Sequence, residues 1–204
     1  MEKETVLSNQ RNFGRFTWFV LLFNLFVIIW GGFVSASGSG DGCGTDWPYC
    51  SNLVGGEIES STLIEFFHRG TSGLALLAVV AMLVWALRIY PKGHRVRKGA
   101  AWSMFFIITE SLLGAGLVIF QWVDTNESLA RAFVQPLHLI NTLLLTAAIT
   151  LTAWWASGYP GMQWRGNRKL GVKLLIFIGG LIFIGIFGAI ASLASTLFPS
   201  DTFI

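Results

Sequence analysis

The chain has 204 residues, 53% of them hydrophobic and only 12% charged, with a mean hydropathy of +0.63 and a formal net charge of +3. That composition excludes an ordinary soluble globular domain and marks an integral membrane protein. The small positive balance includes no basic patch interleaved with aromatics in a soluble stretch, so it gives no case for nucleic-acid binding.

Apolar runs close to or beyond the roughly 20 helical residues that cross a hydrocarbon core fall at about 16–36, 63–87, 100–122, 133–156 and 172–198. They predict an all-α fold with five transmembrane helices. Twelve of the fourteen Lys and Arg lie on one side of these spans: Lys3, Arg11 and Arg15; Arg88, Lys92, Arg95, Arg97 and Lys98; Arg165, Arg168, Lys169 and Lys173. Because basic residues in short loops stay on the cytoplasmic side, the N-terminus is expected inside and the C-terminus outside. The placement expected is multi-pass in the cell inner (plasma) membrane, surrounded by lipid. A basic start, an apolar run and Ser35-Ala36-Ser37 also resemble a secretory leader. The run of about 20 residues is longer than a leader's apolar region and suits an uncleaved span.

Helix one holds Asn24 in its middle and Gly31-Gly32 near its outer end, the usual marks of an interhelical hydrogen bond and of close helix packing. The loop that follows, residues 37–62, has Asp41, Asp46, Glu57 and Glu59 but neither Lys nor Arg. It carries Cys43 and Cys50, the only cysteines of the chain. On the outer side oxidising conditions favour a bridge between them, which would pin Trp47-Pro48 over the bundle. A redox-active dithiol is the competing reading, and the spacing does not suit a zinc pair.

Helix two opens with Glu65-Phe66-Phe67-His68-Arg69. Glu65 and His68, three residues apart, share a face. Helix three holds Glu110 near its centre, either as glue between helices or as a proton-relay or substrate-contacting group. Past an outer loop with Asp124, Glu127 and Arg131, helix four begins with Gln135-Pro136-Leu137-His138, placing Pro136 in the first turn, where proline is tolerated.

Helices two and four run in the same direction, and His68 and His138 each lie about five residues inside the outer boundary, roughly 7 to 8 Å deep. Two histidines at one level on non-adjacent helices suit a metal centre held from both faces, above all a heme iron. A single membrane histidine would be read as a packing residue; depth matching makes the pair informative. His94, in the basic loop, is expected to be solvated. A di-metal carboxylate site would need a second Glu-x-x-His and two more glutamates, and no zinc-protease or nucleophile-elbow motif is present. Arg69 and Arg131 are cations at the outer mouth, suited to heme propionates or to snorkelling toward water. Helix five is rich in Gly, Ile and Phe, and its Gly188–Ser195 stretch loosely echoes Gly32–Ser39 of helix one.

The loop segment Gly-x-Gly-Asp-Gly-Cys43-Gly-Thr-Asp-Trp-Pro-Tyr-Cys50, the motif Glu65-Phe-Phe-His68-Arg69, Gln135-Pro-Leu-His138 and the Leu-Phe-Pro after helix five together resemble the heme A synthase family (CtaA type). The resemblance covers nearly the whole chain. It implies eight helices in two four-helix halves, each with a histidine pair. One half takes heme O as substrate and the other holds a heme b cofactor, while a methyl group of heme O is oxidised to the formyl group of heme A for cytochrome oxidase.

Carried over, His68 and His138 match the axial ligands of the first half, Glu65 the required acid beside the first of them, and Cys43 and Cys50 the outer cysteine pair. The resemblance implies heme O synthase and the cytochrome oxidase assembly machinery as partners. Residues 1–160 correspond to the four-helix heme-binding unit and 161–204 to a basic loop and the first helix of an incomplete second repeat. The second histidine pair is thus not among these residues. A fragment, a homo-oligomer pairing two such halves and a heme-binding remnant are the arrangements expected to account for this. The alternative function is a non-catalytic bis-histidine b-type cytochrome or heme-binding membrane module.

Overall fold

The computed structural model describes residues 2–50, 53, 58–123, 126–161 and 168–197. Glu57, Asp124, Arg165 and the Phe198-Pro199 pair of the Leu-Phe-Pro segment lie outside the described residues. Five helices follow one another: α1 (Glu2–Ala36), α2 (Ser60–Ile89), α3 (Arg95–Ile119), α4 (Leu129–Ala156) and α5 (Arg168–Leu197). The segments Leu7–Ala36, Ser60–Ile89, Arg95–Ile119 and Leu129–Ala156 are long and apolar enough to cross a membrane, so the chain is a multi-pass membrane protein.

Hydropathy locates the membrane slab, whereas caps locate the helix ends, and the two differ here. α3 starts where the His94 side chain accepts a hydrogen bond from Val96 N, so His94 caps a helix and stacks on Tyr90, centroids 4.6 Å apart, instead of lying free in solvent. α3 stops at Ile119, and Gln121 just beyond adopts a φ of 54°. α4 starts at Leu129 because the Ser128 hydroxyl accepts from Arg131 N. This corrects the expectation for Pro136, which lies inside α4 and not in its first turn. With no N–H to offer, Pro136 leaves the carbonyl four residues earlier, at Ala132, without its helical donor.

α1, α2, α3 and α4 pack in sequence and α4 closes back on α1, forming a four-helix ring in which α2 and α4 stand on the diagonal. α5 packs against α4 outside this ring, where Leu139 meets the backbone at Gly185. The ring has a basic end, toward Arg11, Arg88 and Arg95, and a disulfide end, toward Cys43 and Cys50. Its apolar core is Phe13, Val20, Leu21 and Val27 of α1; Ala75, Val79, Met82 and Ala86 of α2, with Tyr90 just beyond it; Val96, Ala100 and Ile107 of α3; and Leu145 and Ile149 of α4. Every one of these lies on the basic side of His68 on α2 and of His138 on α4. The half that holds the histidines buries Thr62, Glu65, Thr71, Arg131, Asn141 and Thr142 beside Val34, Cys43, Cys50 and Ala115.

Asn24, expected to bond between helices, instead donates to Val20 O of its own helix at 2.8 Å. The polar bonds that do cross from α1 come from tryptophans, Trp30 Nε1 donating to Ile64 O at 3.2 Å and Trp18 Nε1 to the Ser157 hydroxyl at 3.0 Å.

Candidate prosthetic-group site

His68 is the ninth residue of α2 and His138 the tenth of α4, about 12 and 14 Å from their helix starts at 1.5 Å per residue. Both helices begin earlier than the apolar runs.

Each ring is backed by a glycine of the preceding helix. A Cβ at Gly31 of α1 would lie 2.8 Å from His68 Cε1 and 3.1 Å from its Nε2, so the imidazole rests on bare backbone. A Cβ at Gly114 of α3 would lie 3.6 Å from His138 Cε1, an ordinary contact. The Nδ1 atoms of both histidines are buried without a hydrogen-bond partner. Buried polar atoms of this kind are uncommon and call for a reason.

Glu110 of α3 is joined to α4 by three side chains. Asn141 Nδ2 donates to Glu110 Oε2 at 2.6 Å, the Thr142 hydroxyl donates to Oε1, and His138 Nδ1 stands 3.5 Å from that same Oε1. Asn141 in turn accepts from the Thr109 hydroxyl at 2.8 Å and donates to Phe106 O at 2.9 Å. The reading of Glu110 as interhelical glue describes these bonds; its approach to His138 was not legible. Asn141 and Thr142 went unnoticed in the sequence, although three and four residues after His138 they share its helical face.

Glu65 is 2% exposed, and its two oxygens are turned toward the loop. Oε2 accepts from Cys43 N at 2.7 Å, and Oε1 accepts from Arg69 Nε and Nη2 at 2.9 and 2.5 Å. Arg69 also donates to the carbonyls of Asp46, Tyr49 (2.7 Å) and Gly44 (3.4 Å). That accounts for all five N–H groups of a guanidinium. Thr62 adds a hydroxyl bond to Gly42 O at 2.7 Å, and the Cys43 and Cys50 sulfurs stand 2.06 Å apart, at disulfide distance. The cysteine loop is therefore fastened to the first turns of α2, directly above His68. Arg131 is buried and donates from Nη1 to Asn126 O at 2.9 Å, so it is not a side chain snorkelling toward water.

Among the described residues, no three His, Cys, Asp or Glu side chains converge as a bare metal ion would require. Two imidazoles on diagonal helices would suit an iron that brings its other four ligands in a macrocycle.

A ring of membrane-crossing helices, apolar at one end and histidine-bearing at the other, defines a membrane protein with a candidate prosthetic-group site. The chain belongs to the COX15-CtaA family of cytochrome oxidase assembly proteins, which matches residues 52–203. A protoheme IX farnesyltransferase of Thermus thermophilus is 49% identical over 185 residues, or 90% of this chain and 30% of that protein. A heme A synthase of Symbiobacterium thermophilum is 39% identical over 125 residues, covering 61% of this chain and 40% of the relative. One of Exiguobacterium sibiricum is 29% identical over 183 residues, covering 87% and 59%. The chain thus spans between 30% and 59% of the length of these relatives. No solved structure matches it.

Proposed function

We propose that the chain is the heme-binding half of a heme A synthase, a membrane oxidoreductase that converts the methyl group of heme O to the formyl group of heme A. His68 and His138 are the proposed axial ligands, approaching the iron from diagonal helices. One observation carries the reading: two histidines at similar distances from their helix starts, with buried Nδ1 atoms that make no hydrogen bond, stand where the apolar core stops. The glycine behind His68 is a cradle that any side chain would fill.

Heme O is the substrate, and when bound it supplies both the methyl group to be oxidised and the redox-active iron. The chain's own residues hold and shield it. His68 and His138 fix the plane of the macrocycle. Arg131 and Arg69 are the proposed cations for its propionates. Glu65, one turn from His68, is the proposed acid beside the reacting edge, held in place by Arg69 and the Cys43 amide. The fastened loop excludes water from above. α5 is proposed as a fifth crossing of the cell membrane, with the N-terminus on the cytoplasmic side and the C-terminus outside. Heme O synthase is the proposed neighbour, supported by the Thermus thermophilus relative that carries that farnesyltransferase name and a stretch similar to most of this chain.

The test is uptake of ferric heme by the purified full chain. A low-spin bis-histidine spectrum, lost in both His68→Ala and His138→Ala, is the result expected. Uptake that ignores both substitutions would refute the ligand assignment.

A further inference from the structure

We propose that Glu110, clamped by Asn141 and Thr142, is the positioning residue of His138, so that the two histidines are held unequally: one by a carboxylate, the other by packing alone. This rests on the reading of His68 and His138 as heme ligands.

A neutral imidazole that ligates through Nε2 carries its proton on Nδ1 and needs an acceptor for it. Glu110 Oε1 stands 3.5 Å from His138 Nδ1, several tenths of an ångström beyond the roughly 2.7 to 2.9 Å of a charge-assisted hydrogen bond. A small rotation of the ring closes that gap. The carboxylate itself cannot drift away, because both its oxygens are already bound. Thr142 holds Oε1, and Asn141 holds Oε2 at 2.6 Å while being fixed by Thr109 and by Phe106 O. The His138 carbonyl, 2.9 Å from the same Thr142 hydroxyl, is the competing acceptor for its single proton, so Thr142 lies between the carboxylate and the ligand's own backbone. Helix α3 thus presents an acceptor whose position both helices determine.

Nothing similar stands behind His68. Its Nδ1 is buried without a partner, and among the described residues no carboxylate lies within ion-pair distance of it. Glu65, the acid nearest in sequence, has its oxygens turned to Cys43 N and Arg69. What fixes His68 is the Gly31 backbone under its ring. A carboxylate behind a ligating imidazole orients the ring and raises its basicity. His138 is accordingly the fixed, stronger donor, and His68 is the ligand that gives way to a competing one.

The experiment uses the full chain in detergent, loaded with ferric protoheme, and reads the heme midpoint potential and the low-spin electron paramagnetic resonance signal. Glu110→Gln removes the charge but keeps the shape. It should retain low-spin heme and raise the potential by about 59 mV, a tenfold loss of ferric over ferrous preference in a one-electron couple, at the lower end of outer-shell effects. Thr142→Val keeps both the carboxylate and the side-chain volume; it should shift the potential the same way by less, and it decides alone if Glu110→Gln does not fold. Low-spin heme with an unchanged potential and resonance signal in these variants would reduce Glu110 to interhelical glue while leaving the ligand pair standing. Wild-type protein that takes up no low-spin heme, or low-spin heme that survives both histidine substitutions, would overturn the ligand pair and this proposal together.

Discussion

Gly31 on α1 and His68 on α2 are in direct contact, and a Cβ at position 31 would fall 2.8 Å from the His68 Cε1. Paired glycines near the end of a membrane helix are usually read as a seam between backbones. Here the partner of the seam is an imidazole. Gly31→Ala should strengthen α1 itself, since alanine is the better helix former by about 1 kcal/mol, yet it forces the His68 ring aside. The expected outcome is a folded protein with heme affinity reduced by about tenfold, the scale of losing an orienting contact. Gly114→Ala, whose Cβ would meet His138 at an ordinary 3.6 Å, should bind heme normally. Heme titration of both variants checks this, and equal behaviour would count against the cradle.

Arg69 and Glu65 test the fastening of the loop. Their side chains are 11% and 3% exposed, and removing one member of a buried ion pair leaves the other uncompensated, at a cost of about 3 to 5 kcal/mol. Arg69→Ala should therefore lower the thermal midpoint in detergent markedly and open the Cys43–Cys50 loop to protease. Arg69→Lys should rescue only part of the loss, because a lysine cannot reach Glu65 and the loop carbonyls at once. A midpoint unchanged in Arg69→Ala would show that its three carbonyl contacts are not holding the loop.

The cysteines make a simpler prediction. Cys43 and Cys50 are the chain's only cysteines and sit in a loop expected on the oxidising side, so protein isolated without reductant should take up no maleimide, and two equivalents after reduction and unfolding. Closing a loop of this length contributes about 2.5 kcal/mol in the chain-entropy picture, so Cys43→Ser with Cys50→Ser should show a lower melting midpoint. Two freely labelled thiols in the native protein would favour the dithiol reading instead.

Asn141 bridges α3 and α4 through Phe106 O, Glu110 and Thr109. Side-chain hydrogen bonds between membrane helices contribute about 0.6 kcal/mol each and up to about 1.7. Asn141→Ala should thus cost about 1 to 2 kcal/mol of stability, read from unfolding in mixed micelles. The same change at Asn24, which bonds only within its own helix, should cost less. A reversed order would mean that α1, not α4, carries the polar seam.

Much of this arrangement was legible in the sequence. The spacing of apolar runs sets the helix number, and alternating direction along the chain puts His68 and His138 at one level without any knowledge of packing. What sequence could not supply is rotation about each helix axis. Glu110 was noticed for its depth, but only the turn of α3 against α4 aims it at His138 and not at lipid. The start of α4 was placed late because hydropathy registers Phe133 and Val134 but not the Ser128 cap, which moved Pro136 from the first turn into the helix body. Arg69 was expected at the propionates. Its engagement with three loop carbonyls depends on the path of an irregular, glycine-rich segment that no periodicity describes.

The most direct test of the central claim is mass spectrometry of the heme extracted from the purified chain, expressed in cells that also make heme O. Heme A or a hydroxylated heme O, absent when His68→Ala is prepared in the same way, is the result expected of a chain that holds and oxidises heme O between two histidines. Unmodified heme alone would leave a binding half without turnover, and no heme at all in a well-folded preparation would contradict the histidine pair itself.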